Sequence, residues 1–342
     1  MYDDVGSFMK NKEKKKRSPF VKIGFSLLVL LVSLEAGLQI AHVVAAELRA
    51  DSHIKHPGAP VILCVGDSHT YGTSLPEEDS YPSQLEDELK RRGIVTNVIN
   101  MGIPGQNTSE LRRSLPRLLD RYGPDIVIIL ICSNNDWNRA DILWSDIQDG
   151  KIDSGVKTWF LKAGYKISDS LRTVQLVRYL LYNNVMEFDP NEKEPDRQGG
   201  VHFHRSRFGT DDWMRGPELS DRSMRDLCAI VDMVRESGAS PVFLNYPAQP
   251  FAPMFLANYF IEQASQTRSV PLVDVAKAIK PVFWKSDEEF DKKARDSIFL
   301  DNPGETHLDE NGYAIVAREV ADTLLKEGLI KKPSKHRKGP RQ

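Results

Sequence analysis

One apolar run of the chain ends in VILCVGDSHTYG, which sets Ser68 directly behind a Gly66-Asp67 turn at the carboxyl edge of a strand-like segment. A serine hydroxyl becomes a nucleophile when a base takes its proton and a carboxylate orients that base. The stretch FLDNPGETHLDENGYAIVA supplies a candidate base, His307, with Asp301 and Glu305 shortly upstream. Two further strand ends add donors. INMGIPGQNTSE brings Gly102, where a missing side chain would let a backbone N–H approach a ligand. LICSNNDWN brings Asn135 and Asp136, and an Asn amide suits an oxyanion. Each piece alone is bland: the Gly-Pro-Gly turn could simply open a helix capped by Asn107 or Thr108, and the Asn could make an Asx turn. Three polar motifs at successive strand ends and a fourth before the last helix point together to a serine nucleophile with a base and donors around it.

In order and spacing, the set Gly66-Asp67-Ser68, Gly102, Asn135-Asp136 and His307 resembles the SGNH/GDSL hydrolase superfamily, bacterial membrane-anchored type. The resemblance covers roughly residues 60–136 and 295–328. It implies a flavodoxin-like three-layer α/β sandwich and esterase or deacylase chemistry without metal or organic cofactor. It also implies Ser68 as nucleophile and His307 as base. The implied oxyanion donors are the Ser68 and Gly102 backbone N–H groups and the Asn135 side chain. Two positions depart from the family pattern. Ser133 stands where the GxND block has glycine, and Gly304 stands where the DxxH block has its acid. The acid is therefore open between Glu305, two residues from the base, and Asp301, six residues away. Asp309 reads as the cap of the last helix.

Other chemistries find little support. The sequence has no GxSxG, Walker A, GxGxxG or HExxH motif. His202 and His204 form a pair without a nearby third ligand, and His69 ranks below His307 as base because neighbours on such a turn point apart. Three scattered cysteines suit neither a disulfide framework nor a zinc site. Cys64 and Cys132 lie in apolar runs and read as small core residues.

The elements that must position these residues follow from hydrophobic patterning. Strand-like runs at 60–65, 94–100, 125–132, 241–245 and 270–275 alternate with helical patterns at 81–92, 108–121, 219–237, 253–268 and 309–328. Continuous runs such as IVIILIC suit strands covered on both faces. The expected fold is an α/β sandwich with a mainly parallel sheet of about five strands. Residues 137–217 interrupt the rhythm and read as an insertion capping the substrate side, with a helix at 168–182.

The net charge of −2 is uneven: residues 1–22 carry +4, residues 331–342 carry +6, and the body between them carries about −12. An acidic body speaks against a nucleic-acid partner. Residues 23–46 are apolar behind a basic flank, with one charge, Glu35. The expected organisation is a basic cytoplasmic segment at 1–22, a transmembrane signal anchor at 23–46 and a linker at 47–59. The hydrolase domain follows at 60–330, with a basic tail at 331–342. A cleaved signal peptide or a soluble core helix are the other readings of 23–46. Under the anchor reading the protein is single-pass in the cytoplasmic membrane, with its catalytic domain on the periplasmic or extracellular side. The expected function is a membrane-tethered esterase removing O-acyl groups, acetyl above all, from a small molecule or a cell-surface or exported polysaccharide. An O-acyltransferase, a lipid or thioester hydrolase, and a non-catalytic carbohydrate-binding or assembly protein remain alternatives.

Overall fold

The computed structural model describes residues 19–135, 138, 141–152, 155–171, 173–174, 217–247, 252–286, 289–290, 297–300 and 307–331. They fall into two compact units, the smaller drawn from the described residues within 19–47 and 164–174, the larger from the others.

The larger unit is built on a five-stranded sheet of β1 (Val61–Gly66), β2 (Asn97–Gly102), β3 (Ile126–Leu130), β4 (Ser240–Leu244) and β5 (Leu272–Val273). Their order is β2-β1-β3-β4-β5 and every pairing is parallel. This is the flavodoxin-like order, whose switch point lies between β1 and β3. Ligands in such sheets bind beyond the carboxyl ends of the strands, the edge to which Ser68 was assigned from sequence.

The strands are apolar because both faces are covered. All five residues of β3 are buried, as are Ile62, Leu63, Cys64 and Val65 of β1. Each fully buried Val, Leu or Ile contributes about 1.5–3 kcal/mol. One group of helices joins α3 (Tyr81–Arg91) to α10 (Glu310–Lys326), and α10 to α9 (Val275–Phe283). A second joins α4 (Thr108–Tyr122) to α7 (Pro217–Glu236), and α7 to α8 (Ala252–Arg268). In α10 the buried residues Tyr313, Val316, Val320 and Leu324 make the single apolar face expected from their spacing. Cys64 and Cys132 are buried cysteines outside any disulfide, and burial pushes Cys64 up to about 12, so it is chemically quiet.

A buried polar cluster ties α4 to the insertion. Asp226 on α7, with no exposed surface, accepts from Thr108 Oγ1 at 3.0 Å, Ser109 Oγ at 2.6 Å and Arg112 Nη1 at 3.1 Å. Ser145 of α5 (Ile142–Gln148) also donates to it. Arg112 reaches on to Asp149 at 2.7 Å. The helix α6 (Val156–Ser170) follows; from position 175 to 182 the helix expected at 168–182 lies outside the described residues.

The N-terminal helix α1 (Pro19–His53) runs past both ends of the expected anchor, so residues 47–53, expected as linker, are helical. Its strongly apolar stretch is short: residues 23–34 span about 18 Å, against a hydrocarbon core of about 30 Å, before Glu35 and Gln39 intervene. Among the described residues no helix is long and apolar enough to cross a membrane. Within its own unit, Glu35 accepts hydrogen bonds from Gln39 Nε2 at 2.6 Å and from the backbone and hydroxyl of Thr173 at 2.9 and 2.8 Å.

Candidate active site

The nucleophile turn is built by close packing and by one carboxylate. A Cβ on Gly66 would lie 2.1 Å from the Leu130 carbonyl, so only glycine lets β1 close on β3 there. Asp67 then caps α2 (Ser68–Tyr71), its Oδ1 accepting from His69 N at 3.0 Å. The Ser68 carbonyl receives the backbone N–H groups of Gly72 and Thr73, and Gly72 ends the turn in the left-handed region at φ +82°. Ser68 itself is half-buried, and its N–H, in the first turn of α2, has no intrahelical acceptor by position.

His307 arrives from the other end of the sequence. An isolated antiparallel bridge, Phe299 to Leu308, holds the strand entering α10, with Leu300 N on the His307 carbonyl at 3.1 Å. Asp309 caps α10 through Gly312 N at 2.8 Å, the capping role read from sequence. His307 Nε2 lies 2.8 Å from Ser68 Oγ. In the tautomer with its proton on Nδ1, the ring accepts the serine proton. Asp301, Glu305, Asp136, His202 and His204 lie outside the described residues.

The two remaining sequence candidates already have hydrogen-bond partners. Gly102 N donates to Asn100 Oδ1 at 3.0 Å, and a Cβ at Gly102 would sit 2.3 Å from Tyr71 N. Its missing side chain lets α2 pack on β2. The Asn135 amide donates to Thr108 Oγ1 and Ser223 Oγ, both at 2.9 Å, and its oxygen accepts from Thr108 N at 3.0 Å. Both amide hydrogens are thereby used, and the residue is buried.

Asn134 takes the place beside the nucleophile turn. Its Nδ2 donates to the Gln106 carbonyl at 3.0 Å and stands 3.5 Å from Asp67 Oδ2, a contact loose enough to yield to a better acceptor. The reason is a one-residue shift. The glycine-like backbone falls on Cys132, at φ +140°, rather than on Ser133. Counting from Cys132 makes Asn134 the third residue of the block. The doubled asparagine leaves two registers open in the sequence, and the apolar run ends at Cys132.

Behind the turn, Asp67 is fully buried and burial raises its pKa, against donors from Tyr246, Ser133 and the His69 backbone that lower it. Tyr246 OH and Ser133 Oγ reach its Oδ2 at 2.5 and 2.7 Å. His69 is buried too, and its ring stacks on His307 with centroids 4.4 Å apart and an interplanar angle of 21°. Burial, then the neighbouring His307, holds His69 well below the ordinary histidine value, so it is a neutral wall for the base.

Residues 64–180 match the family described as GDSL-like lipase/acylhydrolase. Over that segment, about a third of its length, the chain is similar to this family. A protein named arylesterase, from Vibrio mimicus, is 40% identical over 74 residues, which is 22% of this chain and 37% of the relative. The chain thus spans just over a third of that relative's length. Among solved structures, a lipase/acylhydrolase from Enterococcus faecalis superposes with a TM-score of 0.46 at 12% identity, covering 80% of this chain and 99% of that one. The esterase EstA from Pseudoalteromonas sp. gives 0.42 at 13% identity, covering 78% and 97%. The GDSL segment contains Ser68, Asn134 and Asn135, whereas His307 lies beyond it.

Proposed function

We propose that the chain is a serine esterase that removes short O-acyl groups through an acyl-enzyme. The observation that carries this reading is the 2.8 Å contact between His307 Nε2 and Ser68 Oγ at the carboxyl edge of the sheet. His307 takes the hydroxyl proton as Ser68 Oγ attacks the ester carbonyl, and returns it to the leaving alcohol. Water then repeats the sequence on the acyl-enzyme. The developing oxyanion is met by the Ser68 N–H and the Asn134 amide, in place of Gly102 and Asn135. Glu305 or Asp301 orients His307 Nδ1.

The match to a GDSL-like lipase/acylhydrolase family and the relative named arylesterase support ester hydrolysis as the class. Acetyl esters, on a small molecule or a polysaccharide, are the proposed substrates. Export belongs to the same proposal, supported by the basic flank before the apolar residues 23–34. An alkaline phosphatase fusion after residue 60 would be active if it is right and inactive if it is wrong. The function itself is tested with aryl acetates and acetylated glycans. Turnover that disappears in Ser68→Ala supports it, and turnover that survives refutes it.

A further inference from the structure

Tyr246 lies just beyond β4, far in sequence from every motif of the site, and its hydroxyl has no exposed surface. That one oxygen donates to Asp67 Oδ2 at 2.5 Å and accepts from Ser133 N at 3.1 Å. It therefore joins the residue before the nucleophile to the residue before Asn134. The ring also meets His69 edge-on, at 5.0 Å and 79°, and His69 is the residue stacked on His307. Tyr246 is itself fixed at the backbone by Asn258, which accepts from its N–H at 2.7 Å and donates to its carbonyl at 3.1 Å.

Such a clip is needed at this turn. Cys132, immediately before Ser133, carries a side chain at φ +140°, a conformation that L residues rarely adopt unless their surroundings hold them there. The buried Asp67 carboxylate in turn requires donors. A phenol held on a rigid ring can serve both partners at once.

We infer that Tyr246 is a positioning residue: its hydroxyl locks the turn at Ser133 to Asp67 and so fixes the Asn134 amide relative to Ser68 Oγ. This rests on the reading of Ser68 as nucleophile and Asn134 as oxyanion donor. Tyr246 touches no substrate; it acts through Asn134.

The test is a double-mutant cycle on the full chain, with kcat and KM measured on p-nitrophenyl acetate. Tyr246→Phe keeps the ring and removes the clip. Misplacement of a donor by about 1 Å can cost about 10²-fold, so kcat should fall between about 10- and 100-fold with KM within about twofold. In an Asn134→Ala background the same change should cost less than about threefold, because the group it positions is gone. Equal losses in both backgrounds, or an unchanged kcat in Tyr246→Phe, overturn the inference. If Tyr246→Phe does not fold, Ser133→Ala removes the parallel strut to Asp67 and must show the same non-additivity. A wild-type chain that neither turns over the ester nor reacts at Ser68 defeats the functional reading and this inference with it; an active wild type with additive variants defeats the inference alone.

Discussion

His307 Nε2 stands 2.8 Å from Ser68 Oγ across 239 positions of sequence, brought there because β1 ends at Gly66 and the bridge from Phe299 to Leu308 delivers the chain to the same edge. Neither side chain belongs to the buried apolar core. His307→Ala should therefore abolish turnover while leaving the unfolding transition within a few degrees of wild type. A variant that keeps full kcat would assign the base elsewhere.

The two neighbouring asparagines should separate cleanly. Asn134→Ala removes a donor beside the nucleophile and should lower kcat by about 10²–10³, with KM little changed. Asn135→Ala instead strips the partners of Thr108 and Ser223 and should show mainly as lost stability, about 1–3 kcal/mol by urea denaturation. The opposite pattern would return the oxyanion role to Asn135.

His69 gives a pH dependence of known sign. Its pKa is lowered by burial, so its neutral form contributes stability above the ordinary value of 6.5 that is lost as pH falls toward the folded value. Asp67, raised by burial from 3.8, works the other way, since protonation relieves it as pH falls. His69→Phe preserves the ring and the backbone N–H on Asp67, so the difference between variants isolates His69. Between pH 7 and pH 5 the unfolding free energy of wild type should drop more steeply than that of His69→Phe, by up to about 1.4 kcal/mol per pH unit. Parallel curves would contradict a neutral buried His69.

Asp226 holds the other side of the site through α4 and α5. Asp226→Ala leaves Arg112, Thr108, Ser109 and Ser145 without their shared acceptor and should cost about 3–5 kcal/mol. Chemical denaturation measures it directly, and a loss below about 1 kcal/mol would mean that the cluster is not structural.

The five strands and the helices α3, α4, α7, α8 and α10 were legible to within a few residues because their apolar periods are strong, as where the run at 125–132 became β3 and the pattern at 309–328 became α10, whereas α5, α6 and α9 were not read. Ser68 and His307 were legible as residue types at element ends. The surroundings of the two asparagines were not. Asn134 and Asn135 differ by one position, and the structure sets Asn134 beside Asp67 while Thr108 and Ser223 hold Asn135. Tyr246 left no trace in the sequence, because its side-chain contacts to Asp67, Ser133 and His69 are all long-range. Residues 23–46 read as a strongly apolar first part and a mildly apolar remainder, and among the described residues no helix is long and apolar enough to cross a membrane.

Reaction with a fluorophosphonate, followed by peptide mapping, tests the central claim most directly. The phosphorus mimics the ester carbonyl, so labelling requires an activated serine and its oxyanion donors in one place. The account predicts one label per chain, on the peptide containing Ser68, and slow or no labelling in His307→Ala. A folded wild-type chain that stays unlabelled, or a label that persists in Ser68→Ala, would contradict it.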